Sequence, residues 1–297
     1  MADQEPQTDP SVLDHLTRWL GVGTSIIAPV TLLTALLFYF GYVSSRAQFR
    51  YFGLDVDTVG LSTNDFVMRS PQVLLVPLLV VALTAIALLL VHLRLRRHPP
   101  SASWVGRAMV LALVCLGAGL VLMLGFTWFG RWAVYALVTP LLIGVGTAAL
   151  AYLFWMPGAP AWLRRPADDR AGWVRPGVTA LALVVVATTM FWATATLAEW
   201  TGRGNAMETA RHLDELPAVI LDTPSRLYLT DGIVQETALP VEGTEGFRYR
   251  YRGFRLLIQG EDQMFLVPEQ WSASNSTLVV PADGTVRVQF RFVNRAP

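Results

Sequence analysis

Ser70-Pro71-Gln72-Val73-Leu74-Leu75-Val76-Pro77-Leu78-Leu79-Val80-Val81-Ala82-Leu83-Thr84-Ala85-Ile86-Ala87-Leu88-Leu89-Leu90-Val91-His92-Leu93 runs without an Asp, Glu, Lys or Arg. A helix crossing roughly 30 Å of hydrocarbon needs about 20 predominantly apolar residues, because each adds about 1.5 Å. This stretch meets that length, and helices buried in a soluble fold rarely run so far uncharged. Four more charge-free stretches, 19–45, 108–130, 132–163 and 176–198, do the same. Trp19, Trp104, Trp128, Trp132, Trp155, Trp173 and Trp200 fall near their ends, where an amphipathic indole prefers the headgroup level. The pattern predicts a membrane all-α bundle of about five transmembrane helices, with spans near 20–43, 71–93, 107–129, 132–156 and 176–199. A small β-rich α+β soluble domain follows at 201–297.

Composition points the same way. The 297 residues are 53% hydrophobic with a mean hydropathy of +0.44, above the roughly 45–50% apolar usage of soluble chains. The excess lies between Leu20 and Trp200. All 23 basic residues are Arg, which with the abundant Ala, Gly and Pro fits a GC-rich bacterial genome. A net charge of +1 leaves no basic footprint for nucleic acid. The single Cys115 excludes a disulfide framework or a thiolate zinc site within one chain.

Residues 1–10 are polar and predict a disordered cytoplasmic tail. Ser11 with Asp14 fits a capping box, so a short amphipathic helix should lead into the first span. Asp3, Glu5, Asp9 and Asp14 against a lone Arg18, and an apolar run too long for a signal core, argue against a cleaved leader. Arg18, Arg94, Arg96, Arg97, Arg107, Arg164, Arg165, Arg170 and Arg175 fall on one side of the expected spans. Arg46, Arg50, Arg69 and Arg131 fall on the other. Short loops rich in Arg stay inside, so the N-terminus is expected in the cytoplasm and residues 201–297 outside the cell membrane. Phe129-Gly130-Arg131 forms the whole expected connection between spans three and four, with a single re-entrant segment as the alternative.

The charge-free stretches of the spans hold no carboxylate or Arg at depth, although ion-driven transport usually needs a charged group there. His92, one turn from Arg94, reads as an interfacial residue and not a relay. Ala108, Ala112, Cys115 and Gly119 share one helical face, as do Gly144, Ala148 and Ala151. Such stripes suit close helix packing, either with a homo-oligomeric or envelope partner or, the favoured reading, inside the bundle. Pro29 and Pro140 are candidate kinks.

Residues 43–70 form the one sizeable outer loop, where Ser62 and Asp65 predict a helix starting near Thr63. Asp55, Asp57 and Asp65 offer oxygen ligands to a cation, though caps and solvated turns explain them more simply. After Trp200, residues 205–215 have helical periodicity closed by Pro217. Strands are expected at 218–221, 226–230, 247–251, 254–259, 264–267, 277–280 and 285–292, with Arg252-Gly253 a tight turn between two of them. Arg248, Arg250, Arg252, Arg287 and Arg291, together with Arg255, would make a basic face for a partner or an anionic headgroup or wall polymer. The domain's 12 acidic residues against ten Arg favour a mixed solvated face instead. No nucleophile elbow, phosphate loop or zinc-protease motif occurs, and His15, His92, His98 and His212 form no ligand pair. Asn275-Ser276-Thr277 matches a glycosylation acceptor, a chance match for such a genome.

Tyr51-Phe52-Gly53-Leu54-Asp55, Leu61-Ser62-Thr63-Asn64-Asp65, Tyr251-Arg252-Gly253-Phe254-Arg255-Leu256-Leu257-Ile258 and Phe265-Leu266-Val267-Pro268-Glu269-Gln270-Trp271 resemble a group of actinobacterial multi-pass membrane proteins without assigned activity. The resemblance implies the class and no functional residues. The resulting expectation is a non-enzymatic envelope protein displaying a sensing or docking domain, without catalytic residues, cofactor or metal. Its partners would be the lipid bilayer and a homo-oligomer or another envelope protein. A permease lined by Thr188, Thr189, Thr194 and Thr196 is the alternative. A membrane enzyme using Asp55, Asp57, Asp65 and Glu199 on a lipid-linked substrate is the third.

Overall fold

The structure, a computed structural model, describes residues 10–156, 174–229, 232–240, 246–272 and 274–291, with side chains described from 29 and again from 176. The expected tail before residue 10, the Arg164, Arg165 and Arg170 loop and the side chains of the Ser11–Asp14 motif lie outside these.

Among the described residues seven α-helices precede a sheet. They are α1 (Pro10–Tyr51), α2 (Val56–Val59), α3 (Thr63–Arg97), α4 (Ala102–Leu124), α5 (Phe126–Phe129), α6 (Tyr135–Phe154) and α7 (Val174–Arg211). Five hold windows long and apolar enough to cross a membrane: Pro29–Tyr51, Thr63–Arg97, Ala102–Leu124, Tyr135–Phe154 and Pro176–Arg211. Their apolar surface points outward, and only 11% of the most apolar window of α3 is buried within the protein. That is the inverse of a soluble helix, which turns its apolar stripe inward.

The long helices pack in the order α3, α1, α7, α6, α4, with α3 also reaching α7. Glycines set the closest approaches. A Cβ on Gly41 would strike the Phe66 carbonyl of α3, and one on Gly202 would strike the Ser44 carbonyl of α1. Phe40, Val73, Leu74 and Ala198 fill the space where α1, α3 and α7 meet. Ser62 caps α3 as expected: its side chain accepts from Asp65 N, and the Asp65 carboxylate accepts from Ser62 N at 2.8 Å. α1 and α6 continue as helices through Pro29 and Pro140.

The third and fourth expected spans meet differently from the sequence reading. α4 stops at Leu124, Gly125 ends it, and α6 begins only at Tyr135, so the connection is longer than Phe129-Gly130-Arg131. Phe126, Trp128 and Trp132 stay exposed there, while buried Tyr135 donates its hydroxyl to Leu122 O at 2.9 Å and staples the hairpin. The helix read at 205–215 is not separate. α7 runs unbroken to Arg211, because Gly202 lies against α1 and is covered, and a 3-10 turn at Leu213–Glu215 follows.

The sheet contains β1 (Ala218–Thr223), β2 (Gln235–Ala238), β3 (Tyr249–Gln259), β4 (Gln263–Pro268), β5 (Leu278–Pro281) and β6 (Arg287–Arg291), in the order β5-β4-β3-β1-β6. β2 pairs with β3 as well, and all pairings are antiparallel. Arg252-Gly253 is not a turn. β3 runs through it, and Gly253, at φ +98°, lets the strand leave β2 and take up β4. Nor is 226–229 a strand. It crosses one sheet face with Leu227 and Leu229 against Val219, Leu221, Tyr251 and Phe254, and Leu227 N donates to the Tyr251 hydroxyl at 2.8 Å instead of to a ladder.

Candidate functional site

The sheet has two unlike faces. One closes its own core from Val219, Leu221, Tyr251, Phe254, Met264 and Leu266. The other carries Phe265, Val267 and Leu257 and sits on the segment between α1 and α3. In that segment Phe52, Leu54, Val56 and Val59 are buried while Gly53, Asp55, Asp57, Thr58 and Gly60 are exposed, so alternate residues reach the sheet. Phe49, Leu54, Val56, Val59 and Phe66 enclose Phe265, and Phe52 packs with Val267, with Ala206 near the end of α7 and with Leu213 in the 3-10 turn after it. Arg255, on this face, donates to the carbonyls of Asp214 and Leu216 and pairs with Glu269 at 2.9 Å. The sheet is therefore clamped to the ends of both α1 and α7.

A cleft of about 590 Å³ opens beside the clamp. One wall is Arg50, Tyr51, Phe52 and Gly53; the other is Trp271, Ser272, Asn275, Ser276 and Thr277 between β4 and β5. Thr277 fastens the walls together by donating to Phe52 O at 2.6 Å, and the Trp271 ring stands edge-on to Phe52 at 5.0 Å. Ser272 donates from N and Oγ to the Asn275 side chain at 2.6 Å, which fixes the far wall as a turn. Arg50 and Tyr51 are exposed, and among the described residues no acidic side chain lines the cleft. The volume falls within the roughly 300–1,000 Å³ of small-molecule sites, which favour domain junctions.

The expected basic face divides. Asp222 in β1 stands across from Arg250 in β3 and from Arg287 in β6. The fully buried carboxylate accepts from Arg250 Nε and Nη2 at 2.8 and 2.9 Å and from Arg287 Nε and Nη2 at 3.0 and 2.8 Å. Hydrogen bonds from Arg250 first, and then Arg287, hold the Asp222 carboxyl below its ordinary range against the opposing push of burial. The same contact raises the Arg250 pKa. Arg287 also lies 5.2 Å from the centre of the Phe247 ring. Two of the five arginines are thus structural counterions, while Arg248, Arg252 and Arg291 stay exposed.

The other candidates have local duties. Ala112 and Gly119 are buried in the α4–α6 contact, with Ala108 and Cys115 partly covered beside them, and a Cβ on Gly119 would meet Ile143. Asp55 caps α2, Asp57 accepts from the Tyr42 hydroxyl at 3.3 Å and Asp65 caps α3. Among the described residues no three His, Cys, Asp or Glu side chains are grouped to hold a metal. Glu199 is exposed on α7. Thr188, Thr189 and Thr194 each donate to a carbonyl of α7 at 2.8–2.9 Å, and Thr196 reaches Trp192 O and Ala136 O. His92, read as an interfacial residue, meets the Tyr152 hydroxyl through Nδ1 at 2.9 Å. Comparison with protein-family models, with curated proteins and with solved structures finds no match for this chain.

Proposed function

We propose that this chain is a multi-pass protein of the cell membrane, with its N-terminus in the cytoplasm, that displays its C-terminal sheet outside as a non-enzymatic sensing or docking module. The observation that carries the reading is the clamp. The sheet is fixed to the ends of α1 and α7, yet among the described residues a cleft opens beside Phe52 and β6 pairs with β1 alone. Outward apolar surface along α3 and α4 supports a bilayer as the surrounding solvent, since water would penalise so large a contiguous apolar area. The bias of Arg toward one end of the bundle supports the orientation.

The permease alternative has less support, because the hydroxyls it needs are bonded back into the helices. The enzyme reading is weakened likewise, since Asp55 and Asp65 serve as caps and Asp57 accepts from the Tyr42 hydroxyl. The test is a Ser276→Cys substitution in a Cys115→Ser background, probed on intact cells with a membrane-impermeant maleimide. Labelling before permeabilisation is expected. Labelling only after it would reverse the orientation, and release of the chain by alkaline carbonate would end the membrane reading.

A further inference from the structure

We infer that the sheet face seated on the helix ends docks, where those ends leave it free, on anionic phospholipid headgroups of the adjoining leaflet. The inference rests on the membrane reading and gives the sheet a further support. Strand alternation and register decide which side chains share that face. Arg255 and Val267 are cross-strand neighbours on it, and Asp222 is the neighbour of Arg250 and of Arg287. Gln235 with Arg252, and Ala218 with Arg291, fall on the same side by the same alternation. The apolar seat and the arginines therefore belong to one surface. Phe49 of α1 and Phe66 of α3 meet that surface at Phe265, and Ala206 of α7 meets it at Val267. A face touched by the ends of three helices looks back along them, toward the bilayer they cross.

Charge on the free part is one-sided. Asp222 is the only carboxylate that the described strands place there, and it already holds Arg250 and Arg287. Glu236 alternates to the opposite face, and Glu269 is taken by Arg255 at the seat. Arg248, Arg252 and Arg291 are exposed, and none has a carboxylate partner among the described residues. The distance suits headgroups. α1 ends at Tyr51, about 8 Å past Arg46, the first charged residue beyond its apolar stretch. Headgroups fill roughly 5–7 Å on each side of the hydrocarbon, within reach of a guanidinium that binds phosphate oxygens in pairs. An acidic protein would have to wedge between sheet and bilayer, where headgroups already lie.

The test uses the full chain in nanodiscs of phosphatidylglycerol or phosphatidylcholine, with a headgroup-nitroxide lipid as quencher. A fluorophore is attached at Gln289→Cys, on the seated face, or at Tyr228→Cys, on the segment crossing the opposite face, each in a Cys115→Ser background. In phosphatidylglycerol the probe at 289 is expected to be quenched and the probe at 228 is not. The difference should vanish in phosphatidylcholine and at about 1 M salt, where screening shortens to roughly 3 Å. Arg248→Gln, Arg252→Gln and Arg291→Gln together should abolish it too, each arginine contributing about fivefold to the docking equilibrium. Equal quenching of both probes, quenching of neither, or quenching at 289 that survives phosphatidylcholine or the triple substitution would overturn the docking. Co-elution with lipid reports insertion separately. A chain that stays out of the discs overturns the membrane reading along with the docking, whereas one that inserts without selective quenching overturns the docking alone.

Discussion

Replacing Asp222 with Asn separates a structural cluster from a free basic face. The substitution keeps the shape and removes the charge that four hydrogen bonds from Arg250 and Arg287 converge on. Breaking a buried ion pair by removing one partner costs about 3–5 kcal/mol. Here the Arg250 and Arg287 side chains are 24% and 37% exposed, so water recovers part of that, and the expected loss is about 2–3 kcal/mol. Hydrogen exchange on the full chain in detergent reads it directly, as a fall of roughly 30- to 150-fold in protection of the β1 and β6 amides. Arg252→Gln, on an exposed neighbour, should stay within about 0.5 kcal/mol of the parent. The pH dependence carries a sign. Because the folded Asp222 pKa lies below the unfolded value of about 3.9, its stabilisation is complete above that value and is lost as pH falls through the folded pKa. Asp222→Asn should therefore flatten the acid limb of stability. Parent-like protection in Asp222→Asn, or an equal loss in Arg252→Gln, would refute the argument.

Phe52→Ala removes the aromatic that joins Val267, Ala206, Leu213 and Trp271, and should cost about 3–5 kcal/mol; exchange should rise in the β3–β4 hairpin while α4 and α6 keep their protection. Gly202→Val forces a side chain against the Ser44 carbonyl and should lower the thermal midpoint in detergent, whereas Gly204→Ala, with open space around it, should leave it unchanged or raised. Ser62→Ala deletes half a capping box and should cost about 1 kcal/mol, seen as faster exchange at Asp65 and Phe66.

The helices were legible because length without charge is a property of contiguous residues, and a cap such as Ser62–Asp65 is equally local. β6 was legible for the same reason, from Val and Phe alternating with Arg and Gln. Gly125 and Gly253 show where local signals fail. Glycine ends α4 at one position and bulges a continuous strand at the other, and only the neighbouring strands β2 and β4 decide the second outcome. Asp222 gave no signal because its pairing depends on the register of three strands. The cleft was hidden because Phe52 and Thr277 meet across 225 positions. Its one local hint was the presence of the large aromatics Phe52 and Trp271 in connections between elements.

Attachment at two points has a mechanical consequence. A platform on a single stalk would swivel without disturbing what lies beneath. This one rests on two neighbouring struts that touch backbone to backbone at Gly202 and Ser44. Any tilt must therefore slide one strut along the other, and that contact converts a push from above into a shear that travels down the pair.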